Sequence, residues 1–482
     1  MAPLSFFGFG ALLICGTCYL TISLASPVPN LQHIDVQSLK LSPLEVSLHG
    51  RRSVWNIVWS CVSTIVACCW VAVHPNMLRA DATRWKLYFH RLAHMVLMII
   101  APELIICWAM RQWVGARNLM RKEPFKQHNI NHRGEDDRWT MGHGYFLQMG
   151  GFIVEEPLSP PQILTAKRLE ELVDENRVTL PIIPARELYD RSKNDDLSKT
   201  IAIGQTTWFL AQCLTRKLQG LITTKIEIVT VAFAALNVFV YYFWWEKPMD
   251  VQSPVRVPVS LRMPEPKIFD DLPSPLENPF PPNPAVPESE PDKACARICL
   301  FMKNLIQKTV IKPFAIPLKI VTGLFRRAHA MLLTNDSIQA GSTIVPTFYA
   351  LNTNTEREKF IILVTGALLG VLFGGIHCVD WDYVFPTHEE MVIWRASAVI
   401  ITAVAAMGVI VSSTLYLGQR NRRDEVVNSL WGESLLWVGA IGLIPYAVAR
   451  VLLLVEAFVS LRDLPQDALL DVRWTSFIPH FQ

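Results

Sequence analysis

The chain has 482 residues, of which 51% are hydrophobic and 18% charged, and its formal net charge at pH 7 is +3. A charge so close to balance excludes the strongly basic surface of a nucleic-acid binder. The apolar residues are gathered in blocks, which excludes an ordinary soluble chain whose hydrophobic positions are spread through one core.

The first block covers residues 4–25. It has the length of a signal-peptide core, and Ser23-Leu24-Ala25 supplies small residues where a signal peptidase reads. The basic residues that usually precede such a core are missing, so two readings stand for 1–25: a cleaved signal or an uncleaved signal anchor. Cys15 and Cys18 lie inside this block, which discounts their C-x-x-C spacing as a redox motif.

A membrane helix needs about 20 predominantly apolar residues to cross a hydrocarbon core roughly 30 Å thick. Six windows beyond the first block meet this length: 54–73, 92–110, 226–245, 360–378, 392–417 and 435–459. Backbone amides cannot stay unpaired in lipid, and the windows are too long for barrel strands. The expected fold is therefore all-α, a polytopic transmembrane helical bundle with two long, partly ordered loops.

The first two windows fall within 26–110. Glu103 sits near the middle of the second, directly after Pro102, whose ring is expected to kink that helix. An ionisable side chain inside a membrane costs at least roughly 2.5–3.5 kcal/mol and needs a partner or a task. Glu103 has two readings: a carboxylic acid kept protonated by an apolar site, as a general acid requires, or half of an intramembrane ion pair. His94 and the Trp139-x-x-x-His143 spacing read as structural histidines.

The first long loop, 111–225, shows an amphipathic pattern at Leu164, Leu169, Leu172 and Val173. Its run from Ile201 to Leu221 includes Gln205, Gln212, Arg216 and Gln219, which predicts an interfacial helix rather than a span. After the helix at 226–245, residues 246–292 are rich in proline with acidic and serine spacers, a composition that cannot bury a core. Residues 293–359 then form a basic amphipathic segment carrying Lys303, Lys308, Lys312 and Lys319, suited either to an anionic membrane face or to a solvated loop. Cys295 and Cys299 have no histidine partners at zinc-finger spacing, so no structural metal is expected.

The C-terminal three-helix region, 360–482, contains the second candidate site. Gly375-Ile376-His377-Cys378-Val379-Asp380-Trp381-Asp382 ends the window at 360–378 and gathers an imidazole, two carboxylates and an indole at the rim of the membrane. Asp380 and Asp382 are candidate proton donors, and Trp381 offers a ring face to a developing cation. Acidic and aromatic residues also mark ordinary helix ends at an interface. Arg450 lies deep in the last window. Glu456, six positions on, is off its helical face, so Glu103 is the expected partner of Arg450. That pairing would make Glu103 a poorer acid.

Positive loops favour the cytosol. Arg79, Arg84, Lys86 and Arg91, together with Arg420, Arg422 and Arg423, place the loops at 74–91 and 418–434 inside, while the acidic loop around Asp380 lies in the lumen. Arg111, Arg117, Arg121 and Lys122 oppose this arrangement. The chain lacks a phosphate-binding loop, a dinucleotide fingerprint and a long aspartate-rich box, so neither nucleotide nor any other cofactor is expected.

Several short motifs carry a resemblance. They are Arg52-Ser53-x-Trp55, Val73-His74-Pro75-Asn76, Ala101-Pro102-Glu103, Met141-Gly142-His143-Gly144, Gln148-Met149-Gly150-Gly151-Phe152, Gln205-Thr206-x-Trp208-Phe209, Trp244-Trp245-x-Lys247-Pro248, Gly375-Ile376-His377-Cys378, Phe385-Pro386-Thr387, Ala449-Arg450 and Ile478-Pro479-His480. With them the chain resembles a large fungal family of polytopic membrane proteins, some of which are similar to the membrane-bound terpene cyclases of ascochlorin and ascofuranone formation. The resemblance implies an acid-initiated cyclisation of an epoxidised farnesyl chain on an aromatic precursor. It also implies a lipophilic small-molecule substrate and pathway enzymes in the same membrane, the endoplasmic reticulum or another endomembrane. The site residues expected from the sequence are Glu103, Asp380 and Asp382 for catalysis, with His377, Trp381 and Arg450 for substrate binding. The alternative is a non-enzymatic membrane protein: a channel, transporter or receptor.

Overall fold

The computed structural model describes residues 50–472 apart from 80–81, 133, 135, 156–160, 193–194, 252, 258, 260–322, 324, 333–337, 339–340, 352–354, 380, 382–384 and 421–424. The expected signal at 1–25, most of the proline-rich and basic segments, Asp380 and Asp382 lie outside the described residues. The chain divides into two units, one of residues 1–259 with 328–482 and one of residues 260–327. In the second, only 323 and 325–327 are described, and they are helical.

The first unit is mainly helical. In chain order its helices are α1 (Val54–Ala72), α2 (Arg84–Ile100), α3 (Pro102–Arg121), α4 (Phe125–Asn131), α5 (Met141–Gln148), α6 (Ala166–Asp174), α7 (Ala185–Asp190), α8 (Asp195–Leu218), α9 (Lys225–Trp244), α10 (Glu356–Cys378), α11 (His388–Arg420) and α12 (Glu425–Val459). Of these, α1, α9, α10, α11 and the Gly442–Arg462 stretch are long and apolar enough to cross a membrane. Local chemistry explains their starts. Ser53 caps α1, accepting from the Asn56 amide, and Thr224 with Glu227 and Thr355 with Glu358 form capping boxes at α9 and α10.

The remaining expected window is not one helix. The chain bends by 114° between α2 and α3, with Ala101 in a non-helical conformation and Pro102 in the first turn of α3. Proline there removes no helical hydrogen bond, because the first-turn amides have no partner in any case. Glu103 is thus a helix-start residue and not a mid-helix one, and α3 runs on to Arg121, well past the expected boundary at 110.

Hydrogen bonds fix the helix directions. Arg52, just before α1, pairs with Glu227 at the start of α9 at 2.5 Å. After both helices have ended, Lys247 Nζ donates to His74 O at 2.5 Å, so α1 and α9 are parallel and define a first and a second end of the bundle. Helix α9 is buried over nearly its whole length. Helix α10 returns beside it: Phe373 packs edge-on to Phe233 with centroids 5.4 Å apart, and Phe385 lies 3.5 Å beneath Lys225 Nζ at the first end. Helix α11 goes back to the second end, where Tyr416 stacks on Phe360 at 4.4 Å. Helix α12 then brings the chain to the first end, and Arg51 there forms a β-bridge with Leu470.

Beyond the second end, a separate hydrophobic cluster joins Leu119, Phe125, Trp139, Phe146, Phe152, Leu164, Leu169 and Leu172. It includes a small sheet in the order β2-β1-β3, formed by Gln162–Ile163, Phe152–Val154 and Val255–Val257. Strand β3 pairs in parallel with β1, so the proline-rich segment expected from 246 onward begins with residues that belong to this folded cap. Leu169 and Leu172 are the buried face of α6, as the amphipathic pattern predicts.

Candidate functional site

The bend between α2 and α3 carries Glu103 into the middle of the bundle. Its Oε1 accepts from both Arg450 Nη2 and the Tyr446 hydroxyl. Tyr446 and Arg450 are four residues apart on α12 and so share a face; Arg450 Nε and Nη2 also donate to Tyr446 Oη, at 3.1 and 2.6 Å. The guanidinium lies 3.4 Å above the Phe373 ring of α10. Gly370, one turn before Phe373, makes room for Glu103: a Cβ at Gly370 would stand 3.5 Å from Glu103 Cγ and 2.8 Å from Ala405 Cβ.

His377 extends this cluster toward the first end. It is fully buried, and its Nδ1 donates to Phe373 O at 2.7 Å, which leaves the lone pair of the neutral ring on Nε2. The ring lies 4.5 Å from Phe373 and 5.6 Å from Trp394, centroid to centroid. Trp394 Nε1 donates to His377 O at 3.2 Å. Glu103 Oε2, Arg450 Nη1 and His377 Nε2 have no hydrogen-bond partner among the described residues. An acceptor, a donor and a basic nitrogen are therefore left over in an apolar, aromatic surrounding where an unmet polar group is costly.

The sequence reading is corrected in part here. Glu103 and Arg450 are paired as expected, and Phe373 is their shared neighbour with His377, in contact with the Arg450 guanidinium and with the His377 ring. Trp381, expected with His377 at the membrane rim, is 38% exposed, and Arg395 lies over its ring at 4.9 Å. Burial on α10 follows the helical turn, and Trp381 lies beyond the end of that helix. Tyr446 escaped the sequence reading, although its spacing of four from Arg450 was visible. His143 is structural: its Nδ1 completes the α5 capping box with Thr140 and its Nε2 donates to Ile183 O at 2.9 Å, while burial pushes the imidazole below its ordinary range.

A second buried polar node stands at the second end. Lys247 Nζ donates to His74 O, to Asn76 Oδ1 at 3.2 Å and to Gln112 Oε1 at 2.8 Å, and it lies over the rings of Trp108 and Trp244 at 4.9 and 4.7 Å. Gln112 Nε2 returns a bond to Asn76 Oδ1 at 2.9 Å. Burial pushes the amine below the ordinary lysine range, whereas three oxygens and two π faces hold the ammonium form. All three N–H groups are used, so the node is a tether between α1, α3 and the segment after α9.

A family model matches residues 44–263 and 347–481. The chain belongs to a family of unknown function (DUF8562). Both polar clusters lie within the matched residues. The match breaks off at 263 and resumes at 347, leaving out most of the proline-rich and basic segments. No curated protein and no solved structure matches the chain.

Proposed function

We propose that this DUF8562 member is a polytopic membrane protein that cyclises an epoxidised prenyl chain carried on an aromatic precursor. The observation that carries the reading is the Glu103–Tyr446–Arg450–His377 cluster, with three unmet polar atoms among aromatic faces inside apolar helices. Such a reaction needs a proton at the epoxide oxygen, exclusion of water, ring faces for the cation and a base for the final proton. It is balanced as an isomerisation: the C–O bond breaks as the oxygen gains a proton, the alkene closes on the cation, and a proton leaves carbon.

The ion pair changes the expected roles. Glu103 receives two donors on one oxygen, so it serves as acceptor and cation stabiliser. His377 Nε2, buried without a hydrogen-bond partner among the described residues, takes the last proton. The initiating acid falls to Asp380 or Asp382, as in the sequence reading. The test is to express the chain in a microbial host, feed an epoxidised prenyl-arene and search for an isomer of unchanged mass. Product is expected from the parent chain and is lost in His377→Gln at equal protein level. Absence of any isomer from well-inserted parent protein removes the cyclase reading.

One observation favours the non-enzymatic alternative. The Glu103–Arg450 pair is mutually satisfied through Oε1, as a structural lock would be. Under that reading Glu103→Gln lowers the amount of folded protein and leaves any turnover per molecule unchanged, whereas the cyclase reading expects turnover itself to fall.

A further inference from the structure

We infer that α8 is a membrane crossing, its outer face built for lipid hydrocarbon, and that α2 and α3 form a re-entrant pair which enters and leaves at the second end. This rests on the membrane reading above and adds a crossing that hydropathy does not reveal.

The argument begins with parity. Helices α1 and α9 run in the same direction, so the chain between them must return from the second end to the first. Helix α8 makes that return. Near its start, Lys199 Nζ donates to Trp245 O at 3.0 Å, at the second end. In its middle, Gln205 Nε2 donates to Thr64 Oγ1 of α1 at 3.1 Å. Near its close, Arg216 Nη1 donates to Leu470 O at 2.6 Å, beside Arg52 at the first end. Its 24 residues rise about 36 Å at 1.5 Å each, enough for a core of roughly 30 Å.

The sidedness of α8 is that of a lipid-facing helix. Lys199, Gln205 and Arg216 turn inward to the partners just named, while Leu197, Ile201, Trp208 and Leu218 stand outward at 68, 62, 52 and 57% exposure. A helix lying at an interface shows water a polar face along its length. Here the large side chains of the outward face are apolar near both ends and in the middle, with only the small Thr200 and Gly204 among them, and bilayer hydrocarbon is the occupant that fits it. Composition hides the crossing because the inward glutamines and Arg216 lower the mean hydropathy.

The bent pair follows the opposite pattern. On α2, Arg91 Nη2 donates to Trp70 O at 3.0 Å and Nη1 pairs with Asp250 at 2.5 Å, both at the second end. The tip at 101–103 reaches Arg450. Helix α3 then climbs back, with Gln112 Nε2 on Tyr349 O at 2.8 Å and Asn118 on Glu358 at 3.1 Å. Arg117, Arg121 and Lys122 therefore share one side with Arg79, Arg84 and Lys86. The conflict in the positive-inside count disappears, and the second end faces the cytosol.

The experiment uses the full chain in sealed membrane vesicles and a membrane-impermeant maleimide, applied before and after permeabilisation, with the parent chain's own labelling as background. Ser192→Cys and Gln219→Cys flank α8, and one is expected to label in intact vesicles and the other only after permeabilisation. Arg84→Cys and Arg121→Cys are expected to label together with Ser192→Cys. Equal accessibility of 192 and 219 overturns the crossing, and a split between 84 and 121 overturns the re-entrant pair. Glycosylation sequons inserted at the same positions give the same answer where a cysteine variant does not accumulate. Carbonate extraction separates the two levels: a chain released by carbonate sinks the membrane reading itself, whereas a retained chain in which 192 and 219 label alike, or 84 and 121 differ, sinks only this inference.

Discussion

Lys247 shows how much one side chain can organise. Its ammonium joins the end of α1, the middle of α3 and the segment after α9 through three oxygens. In Lys247→Met, Asn76 Oδ1 and Gln112 Oε1 keep donors from Gln112 and Trp244, but His74 O loses the donor named here. That acceptor alone is expected to cost about 1–3 kcal/mol. The measurement is the thermal midpoint of purified protein in detergent, and an unchanged midpoint would show that the node does not tether the helices. His74-Pro75-Asn76 and Trp244-Trp245-x-Lys247 were legible in the sequence only as family markers. Their meeting depends on two parallel helices ending at one level, which no local pattern encodes. Glu103 and Arg450 were more legible, because two opposite charges in apolar windows each demand a partner.

At the scale of elements, α10 packs through a glycine face. A Cβ at Gly374 would meet the Thr402 backbone, with N at 2.9 Å and Cα at 3.1 Å, whereas one at Gly375 would meet nothing within 4 Å. Close backbone approach of this kind lets membrane helices pack through small residues. Gly374→Ala is expected to destabilise the α10–α11 pair by about 1–3 kcal/mol, and Gly375→Ala to stay within about 0.5 kcal/mol of the parent. Both are read by the folded fraction surviving a heat challenge in detergent, and equal survival would discard the packing argument. The apolar windows found α1, α9, α10, α11 and α12 because length and composition define such helices. They misread 92–110 because hydropathy averages are blind to a backbone reversal, although Pro102 marked the place.

For the whole molecule, the family match and the described structure both carry the cap past 246, whereas Met331, outside the match, is buried in the core of the bundle. The match covers Val255–Val257 and stops at 263, so the dispensable segment starts later than composition predicts. Shortening 274–289 is expected to leave insertion and thermal stability unchanged, since proline-rich sequence of this kind contributes few contacts. Quantifying carbonate-resistant protein checks this; loss of insertion or rapid degradation would show that the segment packs on the bundle.

The sequence by itself determined the helical class, the positions of five long apolar helices, the amphipathic α6 and the need of Glu103 and Arg450 for partners. Each is a property of composition or short spacing, set within one or two turns of chain. Only the tertiary structure decided that α2 and α3 fold back on each other, that Tyr446 bridges the ion pair, that Arg395 lies over the Trp381 ring, and that the polar side of α8 faces α1. Those outcomes depend on which surfaces meet across long stretches of chain. There a buried charge takes whichever partner the packing brings within reach, and a polar residue is inside or outside according to its neighbours and not its own hydropathy.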